Sequence, residues 1–545
     1  MKRILYFILI MVIMGMSPVT RWIPTGSVMA STIDVYLNNQ KVVFNADYGV
    51  PFIDQSNRTL IPFRAVLEAF GANVQWIDNT KVAVATKGSI EVRVPIEKNH
   101  IIRNTKLIQI DTKAVIINKR TYIPIRAVME AFGSNVEWID SQKRINVTYG
   151  AAPIISRLPE SYDLRNIGKV TPIKDQLDIG ACWAFATLGA IESSLLPGQV
   201  FDFSEDHISL NHGYNLTQNE GGDFQISLAY LARWSGPVLE SEDPYGDGKT
   251  NPNLKASVHV QEAIILPSKD YSAIKRAIMK YGGVQTSIHI RDIAQQELGD
   301  AYNPTTYAFF YKGQSLPNHD VVIVGWDDTY SATNFTTPPQ RNGAFICRNS
   351  YGTTFGDKGY FYVSYDDVLI GKENIVYTKI ESNKNYDNIY QSDWLGWVGR
   401  IGFGKDTAFF SNVYTTNKKE TLEAISFYAT DMDTSYEVYV VDKFESEADF
   451  AKKRLITRGS FDYAGYYTVK FSTAIPIEGT FAVIVKVTTP DSLYPVAAEY
   501  DKDVPWLEDV DISDGRGYMS FDGLSWESTE KVLESNVCLK AFTKN

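Results

Sequence analysis

Three cysteines in 545 residues, Cys182, Cys347 and Cys538, are too few for a disulfide framework. Histidine is scarce too, and His207, His212, His259 and His289 stand at no metal-ligand spacing with one another or with cysteine. No metal or other cofactor is expected. After Met16 no long apolar run appears, so no integral membrane association is expected once the leading residues are removed. An excess of positive charge is also missing. Lys and Arg number 53 against 64 Asp and Glu, a net charge of −11, which argues against nucleic acid or an anionic membrane as partner. What is present is an ordinary globular composition in a chain too long for one core, so about three domains are expected.

Residues 1–30 have the pattern of a secretory signal peptide. Lys2 and Arg3 precede an apolar run, Ile4 to Met16, and Val28-Met29-Ala30 offers small residues for cleavage. The run is short for a bilayer span. Its removal takes away Lys2, Arg3 and Arg21 and leaves a net charge of −14. A secreted, extracellular protein is expected, free or associated with a cell wall, and the few cysteines fit a bacterial exporter.

Residues 31–150 hold an internal repeat. Thr59 to Asp78 and Thr121 to Asp140 share fifteen of twenty aligned residues at a spacing of 62. Each copy predicts an extended entry ending at Pro62 or Pro124, a short helix over 64–70 or 126–132, and a stop at Gly71 or Gly133. Strands come next, such as 81–85 and 90–94. Arg64 and Arg126 are expected to be buried and to pair with Glu68 and Glu130. The unit resembles the small α+β stalk domain named after copper amine oxidases. That name implies copper, but cysteine is absent here and His100 alone cannot hold it. The segment is read as a spacer or wall-contact module, or as a mask over the central domain; as a mask it, or the linker 151–157, controls latency.

The central stretch is Lys174 to Phe185, K-D-Q-L-D-I-G-A-C-W-A-F. Cys182 opens an apolar run to Leu196 that reads as a buried helix stopped by Pro197-Gly198. At a helix N-terminus, unpaired N–H groups favour an anion, so a lowered thiol pKa is expected. His319 begins a β-branched run, His319-Asp320-Val321-Val322-Ile323-Val324-Gly325, that reads as a buried strand. Cys347-Arg348-Asn349-Ser350-Tyr351-Gly352 lies downstream, and Cys347 reads as a small buried hydrophobe.

Gly180-Ala181-Cys182-Trp183, with the downstream histidine and asparagine, resembles the papain family of cysteine proteases. The resemblance covers residues 158–380. It implies that Cys182 is the nucleophile, His319 the general base and acid, Asn349 the residue that orients the imidazole, and Gln176 an oxyanion-hole donor. Ile179 replaces a family cysteine, so its usual disulfide is not expected. Tyr351 and Phe355 stand where the family has tryptophan, which predicts slower turnover or a wetter site. Glu220-Gly221-Gly222-Asp223-Phe224 matches the family's substrate strand; it implies Gly221, Gly222, Phe224 and Trp183 as substrate-binding residues.

Residues 385–545 change to short alternating strands that suggest a β-sandwich. Tyr386 to Tyr390 and Tyr518 to Trp526 resemble a lectin-like domain. Tyr390, Trp394, Trp397, Trp506, Tyr518 and Trp526 either stack on sugars or fill the core. Asp509, Asp511, Ser513 and Asp514 lack the spacing of a calcium loop.

The expected fold class is multidomain: an α+β papain-like protease of two subdomains, between a small α+β repeat domain and an all-β sandwich. The expected function is a secreted thiol endopeptidase acting on proteins or peptides, with cell-wall or surface glycans as further partners. The alternatives are an adhesion protein built on an inactive protease scaffold, and acyl transfer to an amine by the same thioester chemistry.

Overall fold

The computed structural model describes residues 33–38, 40–44, 49–54, 58–78, 80–87, 90–104, 106–139, 143–148, 158–292, 297–500, 507, 510–514 and 516–545. The expected signal peptide, the linker 151–157, Trp506 and Asp509 lie outside them. The chain divides into two compact units, residues 1–156 and 157–545.

In the first unit, strands Thr59–Pro62 and Arg120–Pro124 run directly into helices Phe63–Ala69 and Ile125–Ala131. Gly71 and Gly133 come after them with φ of 85° and 78°, the left-handed stop that the sequence predicts. The two copies meet antiparallel, with Ile61 opposite Ile123, Leu60 opposite Pro124 and Pro62 opposite Tyr122. Ile61 and its equivalent Ile123 face each other, and the two flanking pairs are related by a local twofold axis through them. Phe70 and Phe132 also touch, their ring centroids 5.3 Å apart. The buried stripe of each helix, Val66 and Leu67 or Val128 and Met129, joins one shared core.

The expectation that Arg64 and Arg126 are buried is corrected. Their side chains are 55% and 62% exposed, although they do pair with Glu68 at 2.9 Å and Glu130 at 3.8 Å. A seven-residue helix has a single inward stripe, and the arginines lie off it.

The second unit begins with the helix Cys182–Leu195, in which every residue from Cys182 to Ser193 is buried. Leu196 then turns extended before Pro197, as a residue preceding proline should. The helix lies on a sheet that includes the antiparallel strands Val284–Ile288, His319–Asp327, Ala344–Arg348 and Tyr360–Ser364. Trp183, Leu188, Val322, Ile323 and Phe361 share this core. Cys347 is fully buried opposite Ile323 and Phe361, as expected, and all three cysteines are free thiols.

The C-terminal strands are longer than the sequence suggests. Thr407–Ala429 and Ala464–Thr488 form an antiparallel pair of 23 and 25 residues. Register shifts between Thr416 and Glu420, and between Leu422 and Ala424, break the alternation that marks a strand in sequence. A smaller sheet, Gly399–Ile401 with Val496–Tyr500 and Ser535–Val537, packs on this pair around Phe410, Phe427, Val485, Val496 and Val537. The peptidase-like and C-terminal parts share backbone pairing, because Val258–Ile265 bonds to the start of Ala464–Thr488. Among the described residues no helix is long and apolar enough to cross a membrane.

Candidate active site

Cys182 is the first residue of its helix, and Ala181 before it supplies no side-chain cap. Its sulfur lies within reach of the backbone N–H groups of Cys182, Trp183 and Asp320, so it sits beside the residue next to His319. The expected lowering of its pKa is corrected. Burial pushes the thiol up to about 12, the Asp320 carboxylate adds to this, and those three N–H groups pull against it. Desolvation of a buried thiolate outweighs the helix end.

His319 is pushed down to about 4, again by burial, with the Asn349 bond opposing. Its Nε2 lies 2.7 Å from Asn349 Oδ1. The same Oδ1 accepts the Ser350 backbone N–H at 2.9 Å. It is therefore an acceptor, Nε2 carries the proton, and Nδ1 presents a lone pair. Tyr351 stacks on the imidazole at 4.9 Å and 29°, with its hydroxyl 3.5 Å from Nδ1. Phe355 packs edge-on against Tyr351 at 5.6 Å. The predicted wetter site is thus corrected: His319 is only 1% exposed, because two smaller rings replace the missing indoles as a shield.

Gln176 is fully buried. Its Nε2 donates to the Ile179 carbonyl at 2.8 Å, and its Oε1 accepts from Ser350 Oγ at 2.6 Å. An amide nitrogen has two hydrogens, so one stays available for a further acceptor.

The Gly221–Gly222 segment lies near this group, since Asn219 Oδ1 accepts the Gly180 N–H at 3.2 Å. Gly221 has a φ of 85°. A Cβ on Gly222 would stand 2.6 Å from the Trp183 ring. Trp183 is therefore buried beneath the segment and shapes it from below; it is not part of the cleft surface where the sequence places it. Phe224 is half-buried at the start of a helix capped by Asp223, whose carboxylate accepts from the Gln225 and Ile226 N–H groups.

Two neighbours, Asp320 and Ser350, and the contact of the Tyr351 hydroxyl escaped the sequence reading. Asp320, buried, accepts from Gln285 Nε2 at 2.8 Å and Ser287 Oγ at 2.7 Å, and burial pushes it up to about 7. Ser350 fixes the Gln176 amide. The Tyr351 hydroxyl faces His319. A carboxylate inside a β-branched run was the one signal available for Asp320; the other two depend on cross-strand neighbours.

The remaining histidines are structural. His207 bonds the Tyr230 hydroxyl at 2.6 Å, and His259 bonds Asn385 and stacks on Trp234 at 3.9 Å. Among the described residues no group of His, Cys, Asp and Glu could hold a metal. Of the C-terminal aromatics, Trp526 stacks on Phe450 at 4.2 Å, Trp397 packs on Tyr428, and Tyr390 packs on Tyr414. Trp394, by contrast, is 53% exposed.

Comparison with known proteins gives three family matches. Residues 158–380 match the papain family cysteine protease model, 36–147 the copper amine oxidase N-terminal domain, and 389–543 the lectin like domain. Cysteine proteinase COT44 of Brassica napus is 32% identical over 234 residues, covering 41% of this chain and 65% of that protein. Germination-specific cysteine protease 1 of Arabidopsis thaliana is 31% identical over 233 residues, covering 41% of this chain and 56% of that protein. The chain therefore spans less than two-thirds of the length of these relatives. Among solved structures, the clostridial cysteine protease Cwp84 after propeptide cleavage superposes with a TM-score of 0.64 at 25% identity, covering 71% of this chain and 99% of that one. A structure of the cysteine protease and lectin-like domains of Cwp84, a surface layer associated protein of Clostridium difficile, gives 0.63 at 25% identity, covering 71% of this chain and 89% of that one. The chain thus combines a papain-like domain with a small N-terminal domain and a lectin-like, sheet-rich C-terminal domain.

Proposed function

We propose that this protein is an exported thiol endopeptidase that cuts peptide bonds with Cys182, His319, Asn349 and Gln176. One observation carries the reading: a buried imidazole, bonded at 2.7 Å to an asparagine, belongs to the residue before Asp320, whose backbone N–H reaches the thiol at a helix N-terminus. Burial raises the thiol and lowers the imidazole, which favours the neutral pair in the resting site. When a peptide carbonyl enters, the Cys182 S–H proton passes to His319 Nδ1 and the sulfur adds to the carbonyl carbon. Asn349 Oδ1 keeps the Nε2–H bond, so the imidazolium stays in register. The new oxyanion takes the Cys182 backbone N–H and the second Gln176 N–H. His319 then returns its proton to the leaving amine, which departs as the thioester forms. Water, deprotonated by the same imidazole, hydrolyses that thioester and regenerates the thiol.

Domain limits of 31–150, 158–380 and 385–545, a cleaved leader over 1–30 and residence at the cell surface belong to the same proposal, and surface location is supported by the likeness to a surface-layer protease. Gly221, Gly222 and Phe224 are proposed to line the path of the peptide. The test is hydrolysis of a fluorogenic dipeptide by the wild type and by Cys182→Ala. Turnover should fall to background in the variant. Equal turnover in both would refute the assignment of Cys182.

A further inference from the structure

We propose that the N-terminal repeat binds a carboxylated glycan through two repeat-related grooves. One groove, of about 980 Å³, is lined by Arg58, Arg126, Trp138 and Lys143. The other, of about 490 Å³, is lined by Arg120, Arg64, Trp76 and Lys81. Each residue of one set is the repeat equivalent of one in the other, at the spacing of 62. The local twofold at Ile61 and Ile123 generates both grooves, and each draws its second arginine from the other copy.

Identity between the copies at buried positions such as Ile61 and Ile123 results from the shared core. Packing gives no such reason at the arginines of the groove. Arg64 and Arg126 are more than half exposed, and Trp76 is 37% exposed. Trp138 is half-buried against the shared core, whereas Trp76 stays exposed beside Arg64, Arg120 and Lys81; this indole and the exposed cations match a ligand more than a core.

The chemistry selects the ligand class. An indole face stacks on the apolar face of a sugar ring, and guanidinium groups take carboxylates as paired bonds. Acidic groups are interleaved with the cations: Asp111 bonds Arg58, and Asp78 bonds Lys81 and Trp76. Such carboxylates accept sugar hydroxyls but repel a dense row of phosphates, so a glycan is favoured over nucleic acid. Charge distribution agrees. Residues 31–150 carry fifteen Lys and Arg against eleven Asp and Glu, whereas residues 151–545 carry thirty-five against fifty-three. A repeating polymer also presents the same unit to both grooves, which no single segment of the acidic remainder could do.

This inference goes beyond the peptidase reading and does not depend on it. The test is affinity electrophoresis of the full chain in gels containing polygalacturonate, with dextran and single-stranded DNA as comparators. Polygalacturonate should retard the protein. Trp76→Ala with Trp138→Ala should raise the polymer concentration for half-retardation at least tenfold. Arg64→Gln with Arg126→Gln, at surface positions that cannot unfold the core, should do likewise. Dipeptide hydrolysis should be unchanged in both double variants. No retardation by polygalacturonate, equal retardation by dextran, retardation by DNA in its place, or arginine variants that bind as wild type would each overturn the proposal.

Discussion

Asp320 sets the electrostatics of the active site at the level of single residues. Its charge raises the Cys182 pKa, second only to burial. Asp320→Asn should therefore make the thiol more acidic and speed its alkylation by iodoacetamide at neutral pH several-fold; an unchanged rate would contradict this role. The same carboxylate has an effect on stability opposite in sign to that of His319. His319 titrates near 4 when folded against an ordinary 6.5, so the unfolded chain takes the proton first and stability is lost as pH falls from 6.5 toward 4. Asp320 titrates near 7 when folded against an ordinary 3.8, so the folded state holds the proton and stability is lost as pH rises from 3.8 toward 7. The two shifts correspond to about 3 and about 4 kcal/mol and nearly cancel between pH 4 and 6.5. Asp320→Asn removes one side of this balance. Its Tm should drop more steeply than that of the wild type as pH is lowered from 7 to 4. Asn349→Ala leaves the imidazole without its partner and should lower kcat/KM by roughly two orders of magnitude, read with the dipeptide substrate.

At the scale of elements, the Gly221–Gly222 segment and the helix Cys182–Leu195 are coupled through one ring. Gly222→Ala would drive a methyl into Trp183. Relief requires the segment to move outward or the indole to tilt, at a cost of about 1–3 kcal/mol. KM for the dipeptide should rise and Tm should fall together; a change in neither would mean that the segment is not held from below. Elements like these were partly legible in the chain. The catalytic helix and the strand at His319 could be read because apolar runs and a proline stop are local signals. The exposure of Arg64 could not, since it depends on which side of a short helix meets the other copy. The raised thiol pKa was missed for a similar reason: the helix end is local, whereas Asp320, which stands beside the sulfur, comes from a strand far along the chain. The long C-terminal strands were hidden by register shifts that interrupt their alternation.

On the scale of the molecule, residues 157–545 behave as one body. Strand Val258–Ile265 pairs with Ala464–Tyr467, and Arg233, buried at the junction, donates to the carbonyls of Asn211, His212 and Trp394. Trp234 stacks on His259 and lies 5.3 Å from Phe542. Ending the chain at residue 384 would expose this strand edge and take the Trp394 carbonyl away from Arg233. The truncated protein should be insoluble or lose most of its Tm, while removal of residues 1–156 should leave residues 157–545 folded, both checked by thermal unfolding. The first unit differs in charge, with Lys and Arg in excess over Asp and Glu in residues 31–150.

The sulfur at position 182 is the centre of the proposed chemistry. Full-length protein treated with a peptidyl epoxide and digested for mass spectrometry should carry one adduct, on the peptide containing Cys182, in step with the loss of dipeptide hydrolysis. An adduct on Cys347 or Cys538, or full hydrolysis by protein alkylated at Cys182, would contradict that role.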